Sequence, residues 1–154
     1  MLTLLGPGRR FTLPKDSDKN VLFLGGGIGV TPYRSMARFA TDSRLPHKTT
    51  LLYSSRTPEE IVYRKEWEAM ARSNPNLKVV YTITRPEAST ETWSGHVGHI
   101  DGQFILENVE DLKNSHFYIC GPPSLITGLA YALIGLGADR RAIQVEGFPG
   151  YDQA

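Results

Sequence analysis

The chain has 154 residues, 40% of them hydrophobic and 21% charged, with 17 basic against 16 acidic side chains and a net charge of +1. That length supports one domain with its own core, and that balance gives no electrostatic footprint for nucleic acid or an anionic membrane surface. The single cysteine, Cys120, excludes an internal disulfide and a thiolate metal cluster, and no apolar run approaches the roughly 20 residues that span a bilayer. With no signal-peptide pattern at the N-terminus, the expectation is one cytoplasmic α/β domain.

Leu2 to Pro14 reads as strand, turn and strand end, a hairpin too short to stand alone. It is best taken as the exit from a preceding domain, so the expected organisation is a remnant over 1–14, a polar linker over 15–20 and a folded unit over 21–154. Val21 to Leu24 is a short apolar run ending in glycines, the pattern of a strand buried on both faces. A helix follows from Thr31 to Ala40, with Thr31 as its N-cap and Pro32 in the first turn. Thr49 to Ser54 predicts the next strand. A helix over Glu59 to Arg72 is opened by Pro58, with carboxylates in its first turn.

Leu77 to Thr84 is rich in β-branched and aromatic residues and predicts a third strand. A polar loop from Arg85 to Gly95 carries Trp93. Val97 to Ile100 is a short extended piece, and Gly102 to Asn108 a small helix. His116 to Cys120 is another apolar strand, stopped by Gly121-Pro122-Pro123. An apolar helix from Ser124 to Leu136 and a last strand from Ala142 to Val145 complete the alternation. Five strands separated by helices imply a doubly wound parallel sheet flanked by helices, a Rossmann-like α/β fold.

Two segments carry chemistry. Gly25-Gly26-Gly27-Ile28-Gly29-Val30-Thr31-Pro32 joins a buried strand to a helix start. Glycines there let a ligand approach the backbone, and the free N–H groups of the helix start favour an anion such as a pyrophosphate. The spacing fits neither the G-x-G-x-x-G fingerprint nor a Walker A loop. Tyr118-Ile119-Cys120-Gly121-Pro122-Pro123-Ser124 is a second strand end, turn and helix start, placed to frame the same crevice. By itself, Cys120 also fits a small buried hydrophobe.

Together with Tyr53-Ser54-Ser55-Arg56-Thr57-Pro58-Glu59-Glu60, Trp93-Ser94-Gly95-His96-Val97-Gly98-His99-Ile100 and Glu146-Gly147-Phe148-Pro149-Gly150-Tyr151, these segments resemble the ordered motifs of the ferredoxin–NADP reductase superfamily. The resemblance runs nearly end to end and implies the C-terminal NAD(P)-binding domain of an FAD-dependent oxidoreductase. Gly6 to Pro14 resembles the last strand of that family's FAD-binding β-barrel. The implied partners are an FAD domain, on the same or a separate polypeptide, and an electron acceptor whose identity is not legible.

On this resemblance, the amides of Gly26, Gly27, Ile28, Gly29 and Val30 and the Thr31 hydroxyl bind the pyrophosphate, and Pro32 shapes the helix start. Cys120 orients the nicotinamide, Gly121 and Pro122 leave it space, Glu146 tunes charge nearby, and Phe148 covers the ring with Tyr151 extending that cover. Thr84-Arg85 resembles the Ser-Arg pair that grips the 2′-phosphate of NADPH, with Ser55 and Arg56 as second candidates, so the sequence favours NADPH over NADH. Arg85 has a competing use as a salt-bridge partner of Glu60 or Glu87. Two other readings stand beside this one: a non-catalytic nucleotide-sensing or subunit-interaction module, and a methyltransferase with an adenosyl sulfonium cofactor. The four histidines (His47, His96, His99 and His116) lack the partners of a metal site and read as solvated or hydrogen-bonded.

Overall fold

A computed structural model describes residues 11–147. Phe148, Tyr151 and the first ten residues lie outside it. In chain order the elements are β1 (Asn20–Gly26), α1 (Thr31–Asp42), β2 (Thr49–Ser55), α2 (Arg64–Ser73), β3 (Leu77–Ile83), β4 (His96–Val97), α3 (Gly102–Asn108), β5 (Ser115–Gly121), α4 (Pro123–Gly135) and β6 (Ile143–Gly147). The strands form one sheet in the order β4-β3-β2-β1-β5-β6, and every pairing is parallel. The doubly wound fold is as expected, but the described residues hold six strands, not five. The extra one is β4, whose two residues pair with Thr82 and Ile83 at the sheet edge.

Alternation along the central strands divides the core in two. Val21 and Phe23 of β1 join Leu51, Tyr53 and Tyr118 on the face packed by α1 and α2, through Tyr33, Met36, Trp67 and Met70. Leu22 and Leu24 turn to the opposite face with Leu52, Phe117 and Ile119, under Phe104 and Ile105 of α3 and Leu129 and Leu133 of α4. A strand covered on both faces must be apolar at successive positions, which explains the uninterrupted runs in the sequence.

Two helix starts differ from expectation. Thr31 is the first residue of α1; Val30 occupies the cap position, and no side chain caps it. The second helix begins at Arg64 and not at Glu59: Pro58–Glu60 is a single 3-10 turn, and Tyr63 has left-handed backbone angles (φ 59°). Tertiary bonds break the helix there. The Val62 N–H donates to the Tyr53 hydroxyl at 2.9 Å, and the Trp67 indole donates to the Val62 carbonyl at 3.2 Å, so both backbone groups are satisfied without a helical partner.

The chain steps from β1 outward through β2, β3 and β4, and then α3 returns it to β5 on the other side of β1. The order therefore reverses between β1 and β5, which makes their carboxyl ends the place where a doubly wound sheet opens a crevice. Phe11 to Pro14 lies against the α1 face. Phe11 packs on Tyr33 and Tyr118 with centroids 5.8 and 5.3 Å away, and the Tyr118 hydroxyl donates to the Thr12 carbonyl at 2.7 Å.

Candidate dinucleotide site

β1 ends in Gly26, a 3-10 turn covers Gly27–Val30, and α1 starts at once. A Cβ on Gly26 would lie 2.5 Å from the Ser54 carbonyl oxygen, and one on Gly29 would lie 3.0 Å from that of Cys120. Gly27 sits at φ +53°, where a side chain is strained. The loop is thus pressed between the ends of β2 and β5, leaving its outer side to a ligand. The Thr31 hydroxyl closes it by donating to the Ile28 carbonyl at 2.8 Å.

Two tyrosines that sequence reasoning does not single out hold this loop. The Tyr33 hydroxyl lies 2.8 Å from both the Leu24 and the Tyr118 carbonyls, which ties the start of α1 to the two strands beneath it. Burial pushes the pKa of this hydroxyl well above the ordinary tyrosine value, so it stays protonated. The Tyr53 hydroxyl donates to the Gly27 carbonyl at 3.1 Å while accepting from Val62. The available signal was a tyrosine within an otherwise apolar buried strand or helix face, which must find a partner for its hydroxyl.

Across the crevice, Cys120 pairs in register with Gly25 on one side and Glu146 on the other. Its thiol is fully buried, and burial followed by the Glu146 carboxylate pushes it up to about 12. It is therefore a protonated, unreactive group near neutral pH, fitted to shape a pocket and not to attack a substrate. Gly121 has φ +152°, and a Cβ there would lie 2.7 Å from Leu125 Cδ2. Pro122 caps α4 and Pro123 opens it.

A cleft of about 600 Å³ runs over these loops. Of the residues singled out from sequence, Gly26, Gly27, Ile28, Gly29, Ser55, Arg56, Thr84, Gly121 and Pro122 line it. Val30 and Cys120 lie buried behind the wall, Thr31 and Pro32 form the helix start beside it, and Glu146 stands next to Cys120 on β6. Arg85 is exposed and outside the lining, although its N–H continues the β2–β3 ladder by donating to the Arg56 carbonyl at 2.8 Å. The pairing of Arg85 with Glu60 or Glu87 is not formed; Arg56 holds Glu60, at 2.9 Å. Ser54, Glu60, His99 and Leu125 complete the lining, and sequence reasoning assigns none of them to the site.

The histidines go separate ways. His96 lies 2.9 Å from the Thr82 hydroxyl and packs on Phe104, His47 lies 2.8 Å from the Pro14 carbonyl, and His99 faces the cleft. Among the described residues no three metal-ligating side chains gather. No described helix is long and apolar enough to cross a membrane.

Comparisons with known proteins agree with this geometry. The family model described as the oxidoreductase NAD-binding domain matches residues 23–130. A Na(+)-translocating NADH-quinone reductase component from Methylococcus capsulatus is 31% identical over 154 residues, covering 97% of this chain and 37% of its own. NADH-cytochrome b5 reductase 2 of Scheffersomyces stipitis is 29% identical over 127 residues, covering 80% of this chain and 42% of its own. The chain thus spans about two-fifths of the length of these relatives. The Amycolatopsis cytochrome P450 reductase GcoB superposes with a TM-score of 0.78 at 21% identity, over 93% of this chain and 42% of its own, and shares the fold. A glycine cradle at the switch point of a doubly wound sheet and a family match across both of its walls lead to one conclusion: the chain belongs to the oxidoreductase NAD-binding domain family, within the ferredoxin–NADP reductase superfamily.

Proposed function

We propose that this domain holds NADH along the cleft and presents its nicotinamide to FAD carried by a separate β-barrel domain. The observation that carries the reading is the cradle itself. At Gly26 and Gly29 a Cβ would collide with the neighbouring strand ends, so the backbone is bare where a pyrophosphate needs amide donors at a helix start. When bound, the nicotinamide supplies a hydride and the flavin accepts it.

The roles of this chain's residues follow from their places. The amides from Gly26 to Val30 bind the pyrophosphate, and Thr31 and Pro32 fix the turn that aims them. Gly121 and Pro122 form the wall of the nicotinamide end, and Cys120 backs that wall from the buried side. Cys120 is a positioning residue, because its thiol stays protonated. Glu146, in register with Cys120, supplies negative charge at the same end. Phe148 is assigned the covering role on its sequence position alone.

The adenosine end favours NADH over the NADPH that Thr84-Arg85 suggests in the sequence. Glu60 brings a carboxylate into the cleft, where it accepts ribose hydroxyls and repels a 2′-phosphate, and it already neutralises Arg56 at 2.9 Å. Arg85 does not line the cleft. The relatives from Methylococcus and Scheffersomyces are both named as NADH reductases. Calorimetric titration with ADP-ribose and with 2′,5′-ADP tests this choice. The expected result is tighter binding of ADP-ribose, with the preference narrowed or reversed in Glu60→Gln. Tighter binding of 2′,5′-ADP, weakened by Arg85→Ala, would restore the NADPH reading.

A further inference from the structure

The residue before Glu60 turns the other way. Glu59 accepts from the Ser89 hydroxyl at 2.9 and 3.0 Å through its two oxygens, from the Thr90 N–H and hydroxyl at 2.9 Å each, and from the Glu91 N–H at 3.1 Å. One carboxylate thus gathers three consecutive residues of the loop that joins β3 to β4. A second staple lies beside it. Arg64 donates to both oxygens of Glu91 at 2.9 Å and holds Glu68 at 3.2 Å.

The stapled loop begins and ends in the cleft. Thr84, at its start, and His99, just past β4 at its end, both line the cleft beside Arg56 and Glu60. The turn Pro58–Glu60 therefore carries two carboxylates with opposite tasks: Glu60 faces the cleft and Glu59 secures the loop that walls it. We propose that Glu59 is a positioning residue for the adenosine half of the dinucleotide, holding the 84–99 loop so that Thr84 and His99 stand where the nucleotide requires them. This rests on the dinucleotide reading above and extends it to a residue that touches no ligand. The carboxyl is held at about 2 by the backbone N–H of Glu59 itself, against the opposing effect of desolvation, and by the Ser89, Thr90 and Thr57 hydroxyls. The staple is therefore ionised throughout the physiological range.

The test compares Glu59→Ala and Glu59→Gln with the wild-type chain, using ADP-ribose and inorganic pyrophosphate as ligands and amide exchange at Thr90 and Glu91 as a report on the loop. Pyrophosphate needs only the glycine cradle. Glu59→Ala should bind ADP-ribose about tenfold more weakly, the size of one charge-assisted hydrogen bond. Pyrophosphate affinity should be unchanged and exchange at Thr90 and Glu91 faster. Glu59→Gln, which keeps one acceptor oxygen, should fall between. Unchanged ADP-ribose affinity, unchanged exchange, or equal loss for both ligands would each overturn the role given to Glu59. A wild-type chain that binds neither ligand would instead overturn the dinucleotide reading, and the role of Glu59 with it.

Discussion

At the scale of single residues, glycine and cysteine decide what the site can do. Gly26→Ala forces a methyl to 2.5 Å from the Ser54 carbonyl, a backbone atom that cannot turn aside. Such overpacking costs about 1–3 kcal/mol. The variant should melt lower and lose nucleotide binding, whereas Gly128→Ala, where nothing lies within 4 Å, should leave binding intact; thermal melts and titrations of the two check this. Cys120 gives a pH prediction. Its thiol is raised from 9.0 to about 12 in the folded chain, so the folded state keeps a proton that the unfolded chain releases above pH 9. Its contribution to stability is complete below pH 9 and is lost as pH rises toward 12. Tyr118, raised from 10.0 to about 12 by burial, acts in the same direction. Denaturant midpoints measured from pH 7 to 11 should fall above pH 9, and Cys120→Ala should delay that fall. Alkylation of the native thiol at pH 7.5 should be far slower than in the unfolded chain.

The glycine loop and the Cys120 turn were legible in the sequence because each depends on local backbone chemistry, whereas the Ser55–Arg56 strand end, which also lines the cleft, stood out only through the family resemblance. Tyr33, Tyr53 and Glu59 were not legible. Their work is done on residues as distant in sequence as Tyr118, Gly27 and Thr90, and only the folded sheet brings those groups together. Arg85, whose place in the sequence resembles a phosphate-gripping residue, stands outside the cleft lining, while its neighbour Thr84 lines it.

At the scale of elements, periodicity located the strands and most helices, and failed where a tertiary bond replaced a helical one. The apolar runs of β1 and β5 could be read directly because burial on both faces removes polar positions. The start of α2 could not, since the bonds that interrupt the helix at Val62 come from Tyr53 and Trp67. β4 escaped because two residues carry too little alternation to register as a strand. Two substitutions probe these elements. Asp101 caps α3 by accepting from the Phe104 N–H at 2.8 Å, so Asp101→Ala should lower stability by about 0.5–2 kcal/mol in urea titrations. On α4, which is apolar nearly all round, Leu133 is fully buried and Tyr131 is 69% exposed. Leu133→Ala should cost about 2–5 kcal/mol, and Tyr131→Ser should stay within about 0.5 kcal/mol of wild type.

At the scale of the whole molecule, the proposed reading makes this fold one half of a reaction centre. The switch point between β1 and β5 places the glycine loop beside a protonated thiol and a carboxylate, an arrangement that on this reading serves to hold two rings together and keep water away. The domain by itself should therefore leave NADH unoxidised in the presence of free FAD, and should reduce flavin when the FAD barrel of a relative is supplied. Absorbance at the flavin maximum under anaerobic conditions separates these outcomes. A nucleotide-sensing module would leave the flavin oxidised in both.

The central claim is that a dinucleotide lies along the carboxyl edge of the sheet, and amide chemical-shift mapping during an ADP-ribose titration tests it most directly. Saturable shifts are expected at Gly26 to Val30, Ser55, Arg56, Thr84 and Gly121, with the opposite edge at Lys48, Asn76 and Ser115 silent. Absence of saturable shifts in the glycine loop, or shifts confined to that opposite edge, would contradict it.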